Sequence, residues 1–268
     1  MIHRLTKLIS RHHNTNISKM TGRLLLAFDF DHTMIEENSD LWVKRLAPGG
    51  VLPQEIEDKY SDDGWTHYMG TIFEYLYNIG ARQHDIQKCL TEIPLTSGFK
   101  QLLDYAHKQG HDCIIISDSN SFFIRYILEC YNLENIISKV YTNPAEFDKE
   151  GCLKIDLYHH QDWCNLSTVN LCKGHILTEH IREQAVLGHT YSRVVYVGDG
   201  SNDLCPALTL SDKDYICPRV NLRLWKKVNA ILAGDEKFKK YSLKARVLEW
   251  ESGTEILKMI KELDSEEV

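Results

Sequence analysis

The sequence predicts an α/β fold: a doubly wound, Rossmann-like parallel sheet with a small α-helical cap inserted after its first strand. Three observations predict it. Short apolar runs recur along the chain, the first being Leu24-Leu25-Leu26-Ala27-Phe28. These runs lead into loops and then into amphipathic stretches with apolar residues three and four apart. The stretch 38–93 breaks that rhythm, because it carries helical periodicity without a convincing strand. A strand that is apolar at every position is buried on both faces, and strands alternating with helices build parallel sheets.

The run 24–28 is the first strand. The chain then leaves the sheet, and Ile72, Phe73 and Leu76 share a helical face by their spacing, which reads as packing within a small helical cap. It returns near Pro94, where Thr96-Ser97-Gly98 opens a helix over 99–108. Gly110 leads into a strand over 112–117. Helices are expected near 122–129, 172–185 and 202–210, with strands over 194–198 and, shorter, 215–217. The core thus comprises 23–37 and 94–268, and the cap 38–93. Residues 1–22 read as a basic extension without fixed structure. Arg4, Lys7, Arg11 and Lys19 fall there, and no acidic residue precedes Asp29. Ile2, Leu5 and Ile9 could line one face of a short helix of the organelle-transit kind.

At 268 residues the chain can hold one large core and a smaller accessory domain. No run of 18 apolar residues occurs, so no membrane-spanning helix is expected. A net charge of −7 repels nucleic acid and anionic lipid. The expected partner is a small molecule, with no nucleic acid, no membrane and no obligate protein partner. The eight cysteines are scattered, without a secretory signal, and read as reduced thiols. Cytoplasm is the default compartment, or the mitochondrion if the basic segment is an address.

Chemistry concentrates at strand ends. Asp29-Phe30-Asp31-His32-Thr33 follows the first strand directly. Residues two apart in extended chain point the same way, so both carboxylates can face one pocket at the sheet edge where open α/β folds bind ligands. Two adjacent carboxylates repel unless a cation lies between them or one holds a proton. A magnesium ion and a proton-transfer role meet both conditions; the plainer alternative is a polar turn with two solvated acids. Gly198-Asp199-Gly200-Ser201-Asn202-Asp203 follows another apolar strand and offers the hard oxygen donors magnesium prefers. It lacks the further acids and closing glutamate of a calcium loop. Ser117-Asp118-Ser119-Asn120 sets a hydroxyl between a strand end and a helix start, suited to phosphate oxygens.

Together these motifs resemble the haloacid dehalogenase superfamily, specifically the phosphoethanolamine/phosphocholine phosphatase family that includes pyridoxal-phosphate phosphatases. The matching stretches run from Phe28 through Tyr68-Met69-Gly70, Thr142 and Leu171-Cys172-Lys173 to Pro218-Arg219, nearly everything after residue 23. The resemblance implies that Asp29 is a nucleophile and that Asp31 protonates the leaving oxygen and later deprotonates water. It implies that Ser117, with Asp118 and Asn120 beside it, meets the phosphoryl group or substrate. Lys173 would offset the charge on Asp29 and the phosphoryl oxygens. Asp29, Asp199 and the carbonyl of Asp31 would hold Mg2+, with Asp203 supporting that shell. Lys173 begins a predicted helix, where a lysine is ordinarily solvated, so its role comes from the resemblance alone. Phosphate monoesters demand accelerations of up to ~10²¹, about 29 kcal/mol, so several charged groups must share the work.

Asp40 and Asp118 add carboxylates near a dianionic phosphate. Either they attract a positively charged head group, an ammonium or choline, or each caps a helix. Pyridoxal phosphate is the competing substrate, and Trp42 or Tyr68 could add a cation–π face or simply pack. Relatives in the resembling family carry a denser His/Cys series where this chain has Tyr158 to Cys172. His159, His160, Cys164 and Cys172 could just supply four zinc ligands, but their spacing is irregular; the stretch reads as a loop with scattered thiols and histidines, and sequence leaves zinc binding there open. A phosphotransferase or mutase, or a catalytically silent binding module, remain the alternative functions. Asp31 favours hydrolysis over the former, and the intact acids argue against the latter.

Overall fold

A computed structural model describes residues 22–61 and 64–266. The basic segment 1–21 lies outside the described residues. The strands are β1 (Leu24–Phe28), β2 (Asp112–Asn120), β3 (Lys139–Asn143), β4 (Ala145–Phe147), β5 (Leu153–Ile155), β6 (Arg193–Gly198), β7 (Tyr215–Pro218) and β8 (Arg246–Val247). Six form one sheet in the order β3-β2-β1-β6-β7-β8, with every neighbouring pair parallel. β4 and β5 pair as a separate antiparallel hairpin.

The helices are α1 (Ser39–Trp42), α2 (Gln54–Glu57), α3 (Trp65–Asn78), α4 (Gln83–Leu90), α5 (Phe99–Gln109), α6 (Ser121–Cys130), α7 (Lys173–Val186), α8 (Leu204–Ala207), α9 (Arg223–Leu232) and α10 (Gly253–Glu266). Five of them, α1 to α5, lie between β1 and β2, the first four within residues 38–93. The sheet is covered on both sides because its strands alternate between two cores. Leu24, Leu26 and Phe28 of β1 join Cys113 and Ile115 of β2 in one core, closed by α5, α6, α10 and by Ile72, Phe73 and Leu76 of α3. Leu25 and Ala27 join Ile114, Ile116 and Tyr196 in the other, closed by α7, α8 and α9. Each fully buried Leu or Phe contributes roughly 1.5–3 kcal/mol, enough to hold the polar loops at the strand ends in place.

Several elements depart from the sequence expectation. β2 runs to Asn120 rather than Ser117, because its pairing with β3 shifts register after Ile116. β3, β8 and the hairpin escape the apolar-run criterion: β3 is half exposed, β8 is two residues long, and β4 and β5 are three each. The helix expected over 202–210 is instead a 3-10 turn, Ser201–Asp203, followed by the short α8. α9 and α10 were not anticipated. Among the described residues no helix is long and apolar enough to cross a membrane.

Candidate active site

The chain runs outward from β1 to β2 and β3 on one side and occupies β6, β7 and β8 on the other, so a crevice opens beyond the ends of β1 and β6, where doubly wound sheets bind ligands. Asp29 sits there, its amide donating to the Val197 carbonyl at 2.9 Å. The next five residues make one turn, Phe30–Met34, anchored by the buried Phe30 and Met34. Asp31 is extended and His32 is left-handed, at φ 55°. This turn, rather than simple strand alternation, brings Asp29 and Asp31 to the wall of one cavity of about 710 Å³. Arg219, after β7, clamps the turn: its guanidinium donates to the His32 carbonyl at 2.7 Å and to Glu36 at 2.6 Å.

Lys173, the first residue of α7, is completely buried. Its Nζ lies 2.8 Å from Asp29 Oδ2 and 2.9 Å from Asp203 Oδ1. Asp203 is fully engaged: Oδ1 also accepts from the Tyr196 hydroxyl at 2.7 Å, and Oδ2 accepts the amides of Asp199 and Gly200 at 3.1 and 2.8 Å. Gly198 makes this approach feasible, since a Cβ there would lie 2.5 Å from Asp203 Oδ2. Asp203 therefore does not line the cavity but fixes the loop that does. Asp199 lines it and accepts from Thr33 Oγ1 at 3.4 Å. Carboxylate oxygens of Asp29, Asp199 and Asp203 all lie within 4.8 Å of one another.

Ser117 faces the cavity, and its Oγ accepts the Ser119 amide at 3.2 Å, which leaves the hydroxyl proton free to donate. Asp118 lines the same wall, held by the Asn202 side-chain amide at 2.5 Å. Asn120, expected beside the phosphate, does not line the cavity. It is buried, caps α6 by accepting the Phe123 amide at 3.0 Å, and donates to Asp40 at 3.4 Å. The extension of β2 explains this: it carries Asn120 past the sheet edge to the helix start.

Asp40 lines the cavity and caps no helix; Asn38 caps α1 instead. The Asp40 carboxyl accepts from the Trp65 indole at 2.9 Å. Trp65 and Tyr60 line the cavity and were not singled out from sequence, because an aromatic on a helical stretch reads as packing. Trp42 and Tyr68 do not line the cavity. The Trp42 indole donates to the Cys89 carbonyl, and the Tyr68 hydroxyl donates to Glu57.

Burial raises the acids here. It pushes Asp29 well above the ordinary carboxylate range, against the pull of Lys173. Burial lifts Asp31 to about 6, with hydrogen bonds from Ser39 working the other way. Burial and then the nearby Asp203 charge lift Asp199 to about 6. Burial and then Asp31 lift Asp40 to about 8, and burial also raises Asp118. For Lys173 burial opposes the charge, but Asp203 and Asp29 outweigh it and hold its pKa above the usual lysine value.

The chain is similar in fold and in sequence to known proteins. A solved structure titled as a phospho-aspartyl intermediate analogue of phosphoserine phosphatase shares the fold at a TM-score of 0.57 and 17% identity, over 89% of this chain and 99% of that one. The pyridoxal phosphate phosphatase PHOSPHO2 of Bos taurus is 39% identical over 91% of this chain and 100% of its own length. The phosphoethanolamine/phosphocholine phosphatase of Homo sapiens is 33% identical over 87% of this chain and 86% of its own. Fold and relatives together define a phosphatase of the haloacid dehalogenase class, a phosphoric monoester hydrolase. The family model described as "Putative Phosphatase" matches residues 24–263, and the chain belongs to that family.

Proposed function

We propose that this phosphatase hydrolyses a small phosphomonoester through a covalent aspartyl-phosphate on Asp29, with magnesium as its cofactor. The observation that carries the reading is Lys173, wholly buried and bridging Asp29 and Asp203 at 2.8 and 2.9 Å. A lysine is sequestered this way only where its charge is needed against anions. An oxygen of Asp29 attacks phosphorus, the phosphorus–oxygen ester bond breaks, and Asp31 gives its proton to the departing alkoxide. Asp31 then takes a proton from water, which attacks the acyl-phosphate, frees inorganic phosphate and regenerates Asp29. Ser117 donates its hydroxyl proton to a phosphoryl oxygen, and Lys173 balances the charge on that group.

The donor set fits magnesium. Asp29 and Asp199 are hard oxygen donors, and their pKa values are raised by burial in a cluster that one lysine does not neutralise. Asp29, Asp199 and the carbonyl of Asp31 would hold the ion, while Asp203 keeps Lys173 and the Asp199 loop in position. When bound, the ion would offset phosphoryl charge and keep Asp29 ionised.

Pyridoxal 5'-phosphate is the substrate we favour. Relatives bearing that name are the more similar in sequence. Asp40, at about 8, is mostly protonated near neutrality. With Trp65 and Tyr60 on the same cavity it offers a ring hydrogen bonds and aromatic contact rather than negative charge. A phosphorylated ammonium, phosphoethanolamine or phosphocholine, is the second reading, favoured by the two carboxyl groups Asp40 and Asp118 on one wall. Phosphate release with magnesium should be compared for pyridoxal phosphate, phosphoethanolamine, phosphocholine, phosphoserine and an aryl phosphate. The kcat/KM ratios decide between the heads. Asp29→Asn should abolish turnover with the fold intact, and normal turnover in that variant would sink the covalent route.

A further inference from the structure

A second cluster of ligating side chains does not line the cavity but flanks Lys173 and Asp203 in the chain. Cys164, Cys172 and Cys205 are free thiols whose sulfurs all lie within 4.8 Å of one another. Cys164 Sγ is 3.4 Å and Cys172 Sγ 3.7 Å from Cys205 Sγ. A tetrahedral zinc bound to sulfur at about 2.3 Å places its sulfurs about 3.8 Å apart. Two measured gaps are close to that edge, and both far exceed a disulfide bond of about 2.05 Å. Three thiols converging from different elements is a metal-ligand pattern, whereas packing alone would spread them among apolar neighbours.

Local structure aims them. The buried Gln161 folds the loop 158–172 around its own side chain: its Oε1 accepts the Cys164 amide at 2.8 Å, and its Nε2 donates to the carbonyls of Cys164 and Thr168. Cys172 stands at the N-terminal cap of α7, whose dipole favours a thiolate. α8 comes so close to α7 that a Cβ on Gly174 would lie 2.5 Å from Cys205 Sγ. His159 adds an imidazole nearby, with Nε2 accepting the Cys172 amide at 3.1 Å. Cys205 completes the cluster from 33 residues beyond Cys172, which is why spacing within the loop alone reads as irregular.

We propose that Cys164, Cys172 and Cys205 bind a structural zinc ion, with water or a neighbouring imidazole in the fourth position. Soft thiolates select zinc over magnesium, so the two metals would sort themselves between the two sites. The ion would pin the loop 158–172 to α7 and α8. That loop contributes Leu166 and Thr168 to the cavity wall, Lys173 directly follows Cys172, and Asp203 stands two residues before Cys205. The zinc would therefore act as a positioning element for the rim of the site and for the Lys173–Asp203 pair, and it takes no part in the reaction.

The test uses the full chain, purified under reducing conditions without chelator from zinc-supplemented cells and dialysed against excess magnesium. Elemental analysis should give one zinc per chain, retained in Asp199→Asn and lost at least tenfold in Cys172→Ser and Cys205→Ser. Cobalt loaded in place of zinc should show the intense near-ultraviolet thiolate charge-transfer band and tetrahedral visible bands. This readout holds on the unmutated chain even if a serine variant fails to fold. Zinc well below one per chain, cobalt bound without a thiolate band, or zinc lost in Asp199→Asn but kept in Cys205→Ser would overturn the proposal. So would a disulfide joining Cys205 to Cys164 or Cys172 in freshly isolated protein.

Discussion

Replacing Lys173 by methionine separates the two jobs assigned to that side chain, because it keeps the length and removes the charge. Lys173 is wholly buried and paired with Asp29 and Asp203, so the variant leaves two carboxylates in the interior without a counter-charge. Removing one partner of a buried ion pair costs about 3–5 kcal/mol, a large share of the roughly 5–15 kcal/mol a domain has in total. The pH dependence follows from signs. The lysine is held above its ordinary pKa, so its stabilisation is fully present below about pH 10 and does not titrate in the working range. Asp29 is already raised, and losing Lys173 raises it further. A carboxyl with a raised folded-state pKa binds more protons folded than unfolded, so its penalty grows as pH rises above the usual carboxylate range. The loss in Lys173→Met should therefore be smaller at pH 5 than at pH 7.5. Urea unfolding without divalent ions reads this directly, and adding Asp203→Asn to the variant should recover part of the loss. A cost below about 1 kcal/mol at pH 7.5, or an equal cost at both pH values, would refute the pairing as the source of stability.

Asp40→Asn should flatten the pH profile of stability: with the folded pKa at about 8, wild type loses stability as pH rises from about 4 to 8, by at most roughly 4 kcal/mol between pH 5 and 8. Unfolding midpoints at those two values check it, and parallel profiles for variant and wild type would contradict the raised pKa. Trp65→Phe removes the indole donor to Asp40 and leaves a buried oxygen short of a partner, a loss of about 1–3 kcal/mol. It should raise KM more than it lowers kcat if the Asp40 wall contacts the head group; the reverse split would move Asp40 out of that role. Magnesium at a hundred times its Kd should raise the unfolding free energy by about 2.7 kcal/mol in wild type and by little in Asp199→Asn. Equal stabilisation of both would place the ion elsewhere.

Much of the site could be read from sequence because of where parallel strands end. Asp29, Ser117 and Asp199 each follow or close an apolar strand, and neighbouring parallel strands deliver such residues to one edge without any knowledge of tertiary contacts. Lys173 offered no such signal. It enters from the loop 158–172 at a helix start, where periodicity treats a lysine as solvated, and only the resemblance pointed to it. The roles of Trp65, Asn202 and Arg219 were hidden for another reason: each acts through side-chain hydrogen bonds to a distant segment, 25, 84 and 187 residues away. Asn120 misled because its residue type suits both phosphate and a helix cap, and the choice turned on three further residues of strand.

The distribution of charge explains why the less legible residues matter. Acids at the ends of β1 and β6 are buried together; burial is what chiefly raises Asp29, Asp31 and Asp199, and neighbouring carboxylates add to it at Asp29 and Asp199. Packing cannot relieve it, since the sheet edge that gathers the acids is the same edge that must stay open to substrate. Relief has to come from cations placed from outside the strand pattern: one lysine carried in on α7 and, in the function proposed above, one magnesium ion. Lys173 works only if α7 begins where it does, and that start is fixed by the loop 158–172, which reaches the core through Leu171, with Tyr158 and Leu166 packed at its edge. A site whose electrostatics depend on where that loop ends gains from a local fastening, and three thiols meeting between the loop, α7 and α8 stand where one would act.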